Sequence, residues 1–189
     1  MSKIILVQSS LNPNSRTAIV VQKAGDLLNE MNYDTEIIDL RDYEIPFCDG
    51  RPLSEYGGDS LEIHQKLKTG DAFIIGFPVY MYSFSGVLKN FLDILSGPFV
   101  EKYCGIIANA GGLASYLSSA ELIKLLSFDL DMTSIQPTVY SHKKHFQDGQ
   151  LTDGYIIEKL KLMLKKLVKA ANLEPSIKES HDKIAVKVS

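Results

Sequence analysis

Tryptophan is absent from this 189-residue chain and cysteine occurs only twice. Cys48 and Cys104 stand in no CxxC or zinc-ligand spacing, so neither a disulfide framework nor a structural metal organises the fold. They read as one loop thiol and one buried strand thiol. No apolar run approaches the ~20 residues needed to span a bilayer. The start, Met1-Ser-Lys-Ile-Ile-Leu-Val7, carries too short an apolar stretch for a signal peptide and runs directly into a strand pattern, so the expected location is the cytoplasm. No single sign of charge dominates. A net charge of -3 argues against nucleic acid or an anionic membrane as main partner, and lies far from the acidic balance of a small electron carrier that docks on basic partners. Internal repeats and signs of a second domain are missing. So are a Gly-Lys-Ser/Thr phosphate loop, a GxGxxG turn, a Ser-His-Asp set and a His/Cys/carboxylate cluster at metal spacing.

What is present is an ordinary globular composition, 45% hydrophobic and 23% charged, in a length that suits one domain. Apolar runs alternate with amphipathic stretches. Lys3–Gln8, Thr35–Leu40, Ala72–Phe77, Lys102–Ala108 and Thr133–Tyr140 read as strands. The third stops at Pro78, which cannot donate to a ladder, and Pro137 places the fifth at a sheet edge. Helices are expected over residues 16–31, with Ser15 as N-cap, and over 60–69, 87–95, 116–128 and 155–171. Between the second strand and the second helix, residues 41–58 form a long irregular segment. Strands alternating with helices predict an α/β fold, a doubly wound five-stranded parallel sheet in order 2-1-3-4-5 with helices on both faces. The domain should span residues 1–173. Residues 174–189 form a tail, disordered or pairing on a sheet edge through Lys183–Val188.

Three loops leave the C-terminal ends of parallel strands. In the first, Ser10, Asn12, Ser15 and Thr17 supply hydroxyl and amide donors and Arg16 supplies charge, beside the positive end of the following helix. That set suits a terminal phosphate monoester better than a pyrophosphate. The second, Pro78-Val-Tyr-Met-Tyr-Ser83, offers flat, polarisable surface in Tyr80, Met81 and Tyr82 together with backbone donors. The third, Asn109-Ala-Gly-Gly112, is rich in glycine. In the 2-1-3-4-5 order the first two face each other across the switch point and the third lies next to them. A ligand with a phosphate at one end and a flat ring at the other, a flavin, satisfies all three.

These segments resemble the NAD(P)H-dependent FMN reductase family of flavodoxin-like flavoproteins. The family's first loop reads approximately Gly-Ser-x-Arg-x-x-Ser-x-Asn/Thr. Here Ser10, Ser15 and Thr17 match it, while Ser9 replaces the glycine and Asn12 the arginine, with Arg16 the alternative source of charge. The second motif is close to complete in Pro78, Tyr80, Ser83, Gly86, Leu88, Lys89, Asn90, Leu92 and Asp93. Ala110-Gly111-Gly112 and Phe146–Asp153 also look like the family, and the resemblance covers roughly residues 3–171. It implies bound FMN, reduction by NADPH or NADH, a small-molecule electron acceptor, and a homodimer or homotetramer with FMN near the interface.

Tyr80 is expected on the ligand, whereas Tyr82 divides evenly between ring and core. Lys89, Asn90 and Asp93 sit inside a helix and read as structural, through capping, packing or subunit contacts. Gly111 and Gly112 would let the backbone approach the pyrimidine end of the ring. His142 and His145, among Lys143 and Lys144, read as a solvated basic loop. The expected chemistry is hydride transfer from NAD(P)H through the flavin to free flavin, a quinone, an azo or nitro compound, or a metal oxyanion; the cofactor performs the difficult step, so no side chain is needed as acid or base. Two other readings stay open: a flavodoxin-type carrier that does not oxidise NAD(P)H, and a non-catalytic module that binds another phosphate ligand.

Overall fold

The structure, a computed structural model, describes residues 2–176. In chain order its main elements are β1 (Lys3–Gln8), α1 (Arg16–Glu30), β2 (Asp34–Asp39), α2 (Ser60–Leu67), β3 (Ala72–Tyr80), β4 (Ser83–Phe84), α3 (Gly86–Leu95), β5 (Tyr103–Ala110), α4 (Ser119–Leu130), β6 (Thr133–Ser134), β7 (Val139–His142), β8 (Phe146–Gln147), β9 (Gln150–Leu151) and α5 (Gly154–Ala170). The parallel sheet runs β2-β1-β3-β5, and β6 and β7 both pair with the far side of β5. With β6 and β7 counted as one interrupted strand, this is the expected 2-1-3-4-5 order. The strand reversal at β1 and β3 puts the switch point between them.

Alternate residues of the buried strands feed two cores. Ile5, Val7, Phe73, Ile75, Phe77 and Ile106 pack with α2, α3 and α4 through Leu67, Phe91, Leu95 and Leu126. Ile4, Leu6, Ile74 and Ile107 face the other way, against Val21 and Leu28 of α1 and Leu160, Met163 and Leu167 of α5. Each fully buried aliphatic or aromatic side chain contributes about 1.5–3 kcal/mol, so both helix layers are firmly held. Gly76 lets α1 come down on β3: a Cβ there would overlap Val21 Cγ2 and lie 3.3 Å from Thr17 Cγ2.

Among the boundaries that differ from the sequence expectation, four are notable. First, β3 does not stop at Pro78 but continues to Tyr80. Gly76 O accepts from Ser9 N on the β1 side, so the nitrogen of residue 78, two along, points to that same side, where β1 has already ended at the Gln8↔Gly76 pair. The missing N–H therefore costs no ladder bond. Second, β5 includes Asn109 and Ala110, because β7 keeps pairing as far as Ala110↔His142. Third, α4 begins at Ser119, leaving Tyr116 and Leu117 exposed in the preceding turn. Fourth, the fifth strand is interrupted at Gln136–Pro137, a cis peptide, into β6 and β7. The strand pattern at Lys183–Val188 lies outside the described residues.

Candidate functional site

Beyond Gln8 the chain is tied down on both sides. Ser9 N and Ser9 Oγ both donate to Gly76 O, each at 3.0 Å. Gln8 Nε2 donates to Ser10 O at 3.0 Å and to Asp39 Oδ1 at 2.9 Å, while Gln8 Oε1 accepts from Ser10 N. Asn12 Oδ1 accepts from Asn14 N at 2.8 Å, an Asx turn that leaves the Asn12 amide NH2 as a donor. Ser15 caps α1 as expected, its Oγ accepting from Ala18 N at 3.1 Å. Arg41 braces the outside of the turn, donating to Pro13 O at 3.2 Å and to Asp39. Burial alone would push the Asp39 carboxyl up, but the hydrogen bonds and charge of Arg41, with Gln8, outweigh it and hold the group below its ordinary value.

Ser10, Ser15 and Thr17 are buried, whereas Asn12 and Arg16 are exposed. The N–H groups of Arg16 and Thr17, in the first turn of α1, have no intrahelical partner. No carboxylate occurs between Ser9 and Thr17. Hydroxyls, free N–H groups, a helix dipole and an arginine, with no acid among them, fit a phosphate dianion.

Facing this turn across the switch point is a hairpin. Val79↔Phe84 and Tyr80↔Ser83 pair β3 with β4, and Met81 and Tyr82 form the connecting turn with φ of 49° and 62°. Such a two-residue turn normally takes Asn-Gly. Holding a methionine and a tyrosine there costs about 1 kcal/mol or more per residue. Both are presented to solvent, Met81 at 94% and Tyr82 at 66% exposure, with Tyr80 at 56%. Tyr82 therefore does not pack in the core. Pro78 is buried and Val79 half-buried beneath them. The Ser83 hydroxyl donates to the Glu121 carboxylate of α4, which steadies the hairpin.

The third loop is anchored from β7. Asn109 Nδ2 donates to Ser141 Oγ at 2.8 Å, so this side chain braces β5 against β7. The Tyr140 hydroxyl donates to Gly112 O, and burial raises its pKa above the ordinary phenol value. Gly111 and Gly112 have negative or extended backbone, and a Cβ at either would meet open space. Neither the backbone conformation nor packing within the protein requires glycine at these two positions. At the head of α4, Ser118 Oγ is the one buried side-chain polar atom without a partner among the described residues. The structure thus brings the three expected loops to one sheet edge. Ser83 and Asn109 turn their side chains to neighbouring elements there.

Sequence reasoning missed four contributors. Gln8 and Ser9 hold the first turn, Ser118 leaves a buried hydroxyl at the head of α4, and His142 is not part of a solvated loop. His142 pairs beside Ala110, is 5% exposed, and its Nδ1 accepts from Lys144 N at 3.4 Å. Its backbone N–H donates to His145 Nδ1 at 3.1 Å. Burial, then the charges of His145 and Lys144, push its pKa below the ordinary imidazole value. Asn90 was legible as a motif residue, and its structural role is now concrete. Asn90 Nδ2 donates to Pro46 O at 2.9 Å and Asn90 Oδ1 accepts from Cys48 N at 2.8 Å, clasping the 41–58 segment to α3. Lys89 pairs with Asp93 on the same helix. Cys48 is exposed and Cys104 buried, as expected. No group of three or more potential metal ligands occurs among the described residues.

Fold and site together define a doubly wound α/β protein that presents an acid-free donor turn and an exposed aromatic hairpin at the C-terminal edge of its sheet. The sequence profile described as NADPH-dependent FMN reductase matches residues 2–146. An NAD(P)H-dependent FAD/FMN reductase of Geobacillus thermodenitrificans is 31% identical over 129 residues, which is 67% of this chain and 70% of that one. An FMN-dependent NADPH-azoreductase of Staphylococcus saprophyticus is 31% identical over 157 residues, 80% and 82% of the two chains. Among solved structures, an archaeal flavodoxin superposes with a TM-score of 0.61 at 16% identity over 92% of this chain and all of that one, which shows the shared fold. The chain belongs to the NADPH-dependent FMN reductase family, whose members are flavin-dependent NAD(P)H oxidoreductases.

Proposed function

We propose that this chain holds FMN in the switch-point crevice and uses it to pass electrons from NADPH or NADH to a small acceptor. The observation that carries the reading is the meeting, at one sheet edge, of an acid-free donor turn at the N-terminus of α1 and a pinned hairpin that exposes Tyr80, Met81 and Tyr82. Ser10, Asn12, Ser15, Arg16 and Thr17 would take the phosphate. Pro78, Val79, Tyr80, Met81, Tyr82 and Ser83 would take one side of the ring, and Asn109, Ala110, Gly111 and Gly112 its polar edge. Bound FMN supplies the redox chemistry, accepting hydride from the nicotinamide and releasing electrons to free flavin, a quinone or an azo compound. The protein's part is to fix the phosphate, present backbone donors along the ring edge, and leave one ring face open to solvent. With no carboxylate in the Ser9–Thr17 turn, nothing there repels the dianion.

The same surface supports reading the protein as a homodimer or homotetramer. Leu11, Phe47, Tyr80, Met81, Tyr82, Leu113, Tyr116 and Leu117 are exposed apolar residues, all on segments that leave the C-terminal ends of β1, β2, β3 and β5. A second copy would cover part of this surface and border the crevice. No helix of the described residues is long and apolar enough to cross a membrane, which is consistent with action in the cytoplasm. Residues 1–173 would make the flavin-binding domain and 174–189 a tail outside it. Steady-state assay tests the function: NADPH consumption should require FMN and rise with added quinone, azo dye or free flavin. FMN-saturated protein that oxidises neither NADPH nor NADH with any of these acceptors would refute it.

A further inference from the structure

A broad concavity shares Pro13–Arg16 with the phosphate turn and extends away from it. It measures about 1020 Å³ and wraps the outer face of α1, from Pro13–Arg16 to the β8–β9 hairpin. That is the upper end of the roughly 300–1,000 Å³ typical of small-molecule sites. On the hairpin side its wall carries Arg16, Ile19, Lys23, Lys143, Phe146 and Leu151. Asp148 and Gly149, both at positive φ, close the hairpin in a tight two-residue turn that fixes this wall.

The charges are uneven. The whole lining holds four cations, Arg16, Lys23, Arg41 and Lys143, against the two carboxylates of Asp26 and Asp39, in a chain of net charge -3. Arg41 is spent on Asp39, and Asp26 accepts from Gln22 at 2.9 Å. Arg16 belongs to the phosphate turn, which leaves Lys23 and Lys143; neither makes an ion pair among the described residues. Ile19, Phe146 and Leu151 are half-buried between these cations. Unpaired cations flanking an apolar strip match a phosphorylated nucleoside: the base covers the strip and the phosphate meets the cations.

We propose that this groove is a subsite for an adenosine phosphate. The inference rests on the reading that the neighbouring Ser9–Thr17 turn holds the flavin phosphate, because the groove opens directly from Pro13–Arg16. Two physiological ligands carry the required chemistry. One is the 2′-phosphorylated adenosine half of NADPH. The other is the AMP half of FAD, which would continue from the phosphate turn.

The test is calorimetric titration of FMN-loaded protein with 2′,5′-ADP and, separately, with 5′-AMP. Lys23→Ala and Lys143→Ala should each weaken binding by about tenfold, the size of one charge-assisted hydrogen bond, with the bound-flavin spectrum unchanged. A strong preference for 2′,5′-ADP, with a raised KM for NADPH but not for NADH in both variants, assigns the groove to NADPH. Equal binding of the two compounds, with Lys143-dependent replacement of FMN by FAD, assigns it to FAD. The proposal is overturned if neither compound binds, or if both variants bind as wild type does. Protein that loads no FMN contradicts the cofactor reading instead, and the same titration on that protein still reports on the groove.

Discussion

Gly76→Ala gives the sharpest structural test, because one methyl group acts on both the fold and the site. The added Cβ would overlap Val21 Cγ2, and its other neighbours are Thr17 Cγ2 at 3.3 Å and Val7 O at 3.4 Å. None of these can swing aside, since Val21 is fully buried and Val7 O is backbone. The first two turns of α1 must lift off β3. Overpacking of this kind costs about 1–3 kcal/mol, or roughly 2–4 °C of melting temperature per kcal/mol in a chain of this size. Thr17 stands in the phosphate turn, so FMN affinity should fall together with stability. Val21→Ala alone removes buried methyls and should cost about 2 kcal/mol. In the double variant it also removes the clash. Urea unfolding of the four proteins should therefore show a coupling of at least about 1 kcal/mol in the favourable direction, with FMN binding partly restored. Additive losses, or a Gly76→Ala protein with wild-type stability and flavin affinity, would refute the close approach on which this account of α1 depends.

Ser15→Asp keeps an N-cap acceptor and sets a negative charge beside the phosphate; flavin fluorescence titration should show much weaker FMN binding at near-wild-type stability, whereas Ser15→Ala loses about 1 kcal/mol of helix stability. Wild-type FMN affinity in Ser15→Asp would contradict the phosphate site. Asn90→Ala removes both hydrogen bonds that clasp residues 46–48 to α3; urea unfolding should report a loss of about 2 kcal/mol, and limited proteolysis should cut the 46–52 segment faster. His142 has a folded pKa below its ordinary value of 6.5, so between the two values the unfolded chain binds more protons than the native one. Stability should therefore fall as pH drops through that window, and the fall should be smaller in His142→Gln when urea midpoints are compared at about pH 7.5 and 5.5.

Much of this architecture was legible. Unbroken apolar runs mark β1 and β3 as buried on both faces, and the spacing of Val20, Ala24, Leu27 and Leu28 marks the inner face of α1. Ser15 could be read as the cap, and with it the anion-ready helix terminus. What escaped was set by partners that no local pattern reveals. Pro78 is a sound strand stop unless β1 has already ended beside it, which is a fact of register. Met81-Tyr82 carries none of the chemistry of a two-residue turn, so the hairpin was invisible. Nothing local in Ala72–Phe77 marks Gly76; its need comes from Val21, 55 positions earlier in the chain. Asn109 read as the start of a glycine-rich loop; β5 runs through it because β7 pairs alongside and supplies Ser141. His142, flanked by lysines, read as solvated because its burial depends on pairing with β5.

The central claim is that the crevice holds FMN and that a nicotinamide reduces it there. Anaerobic absorption spectroscopy tests this most directly: the purified protein is mixed with FMN, freed of excess flavin, and titrated with NADPH. The flavin bands should be retained, shifted from those of free FMN, and should bleach with one equivalent of NADPH per flavin. Flavin that is retained but never bleaches with NADPH or NADH would contradict the reductase reading. Protein that retains no flavin would contradict the crevice itself.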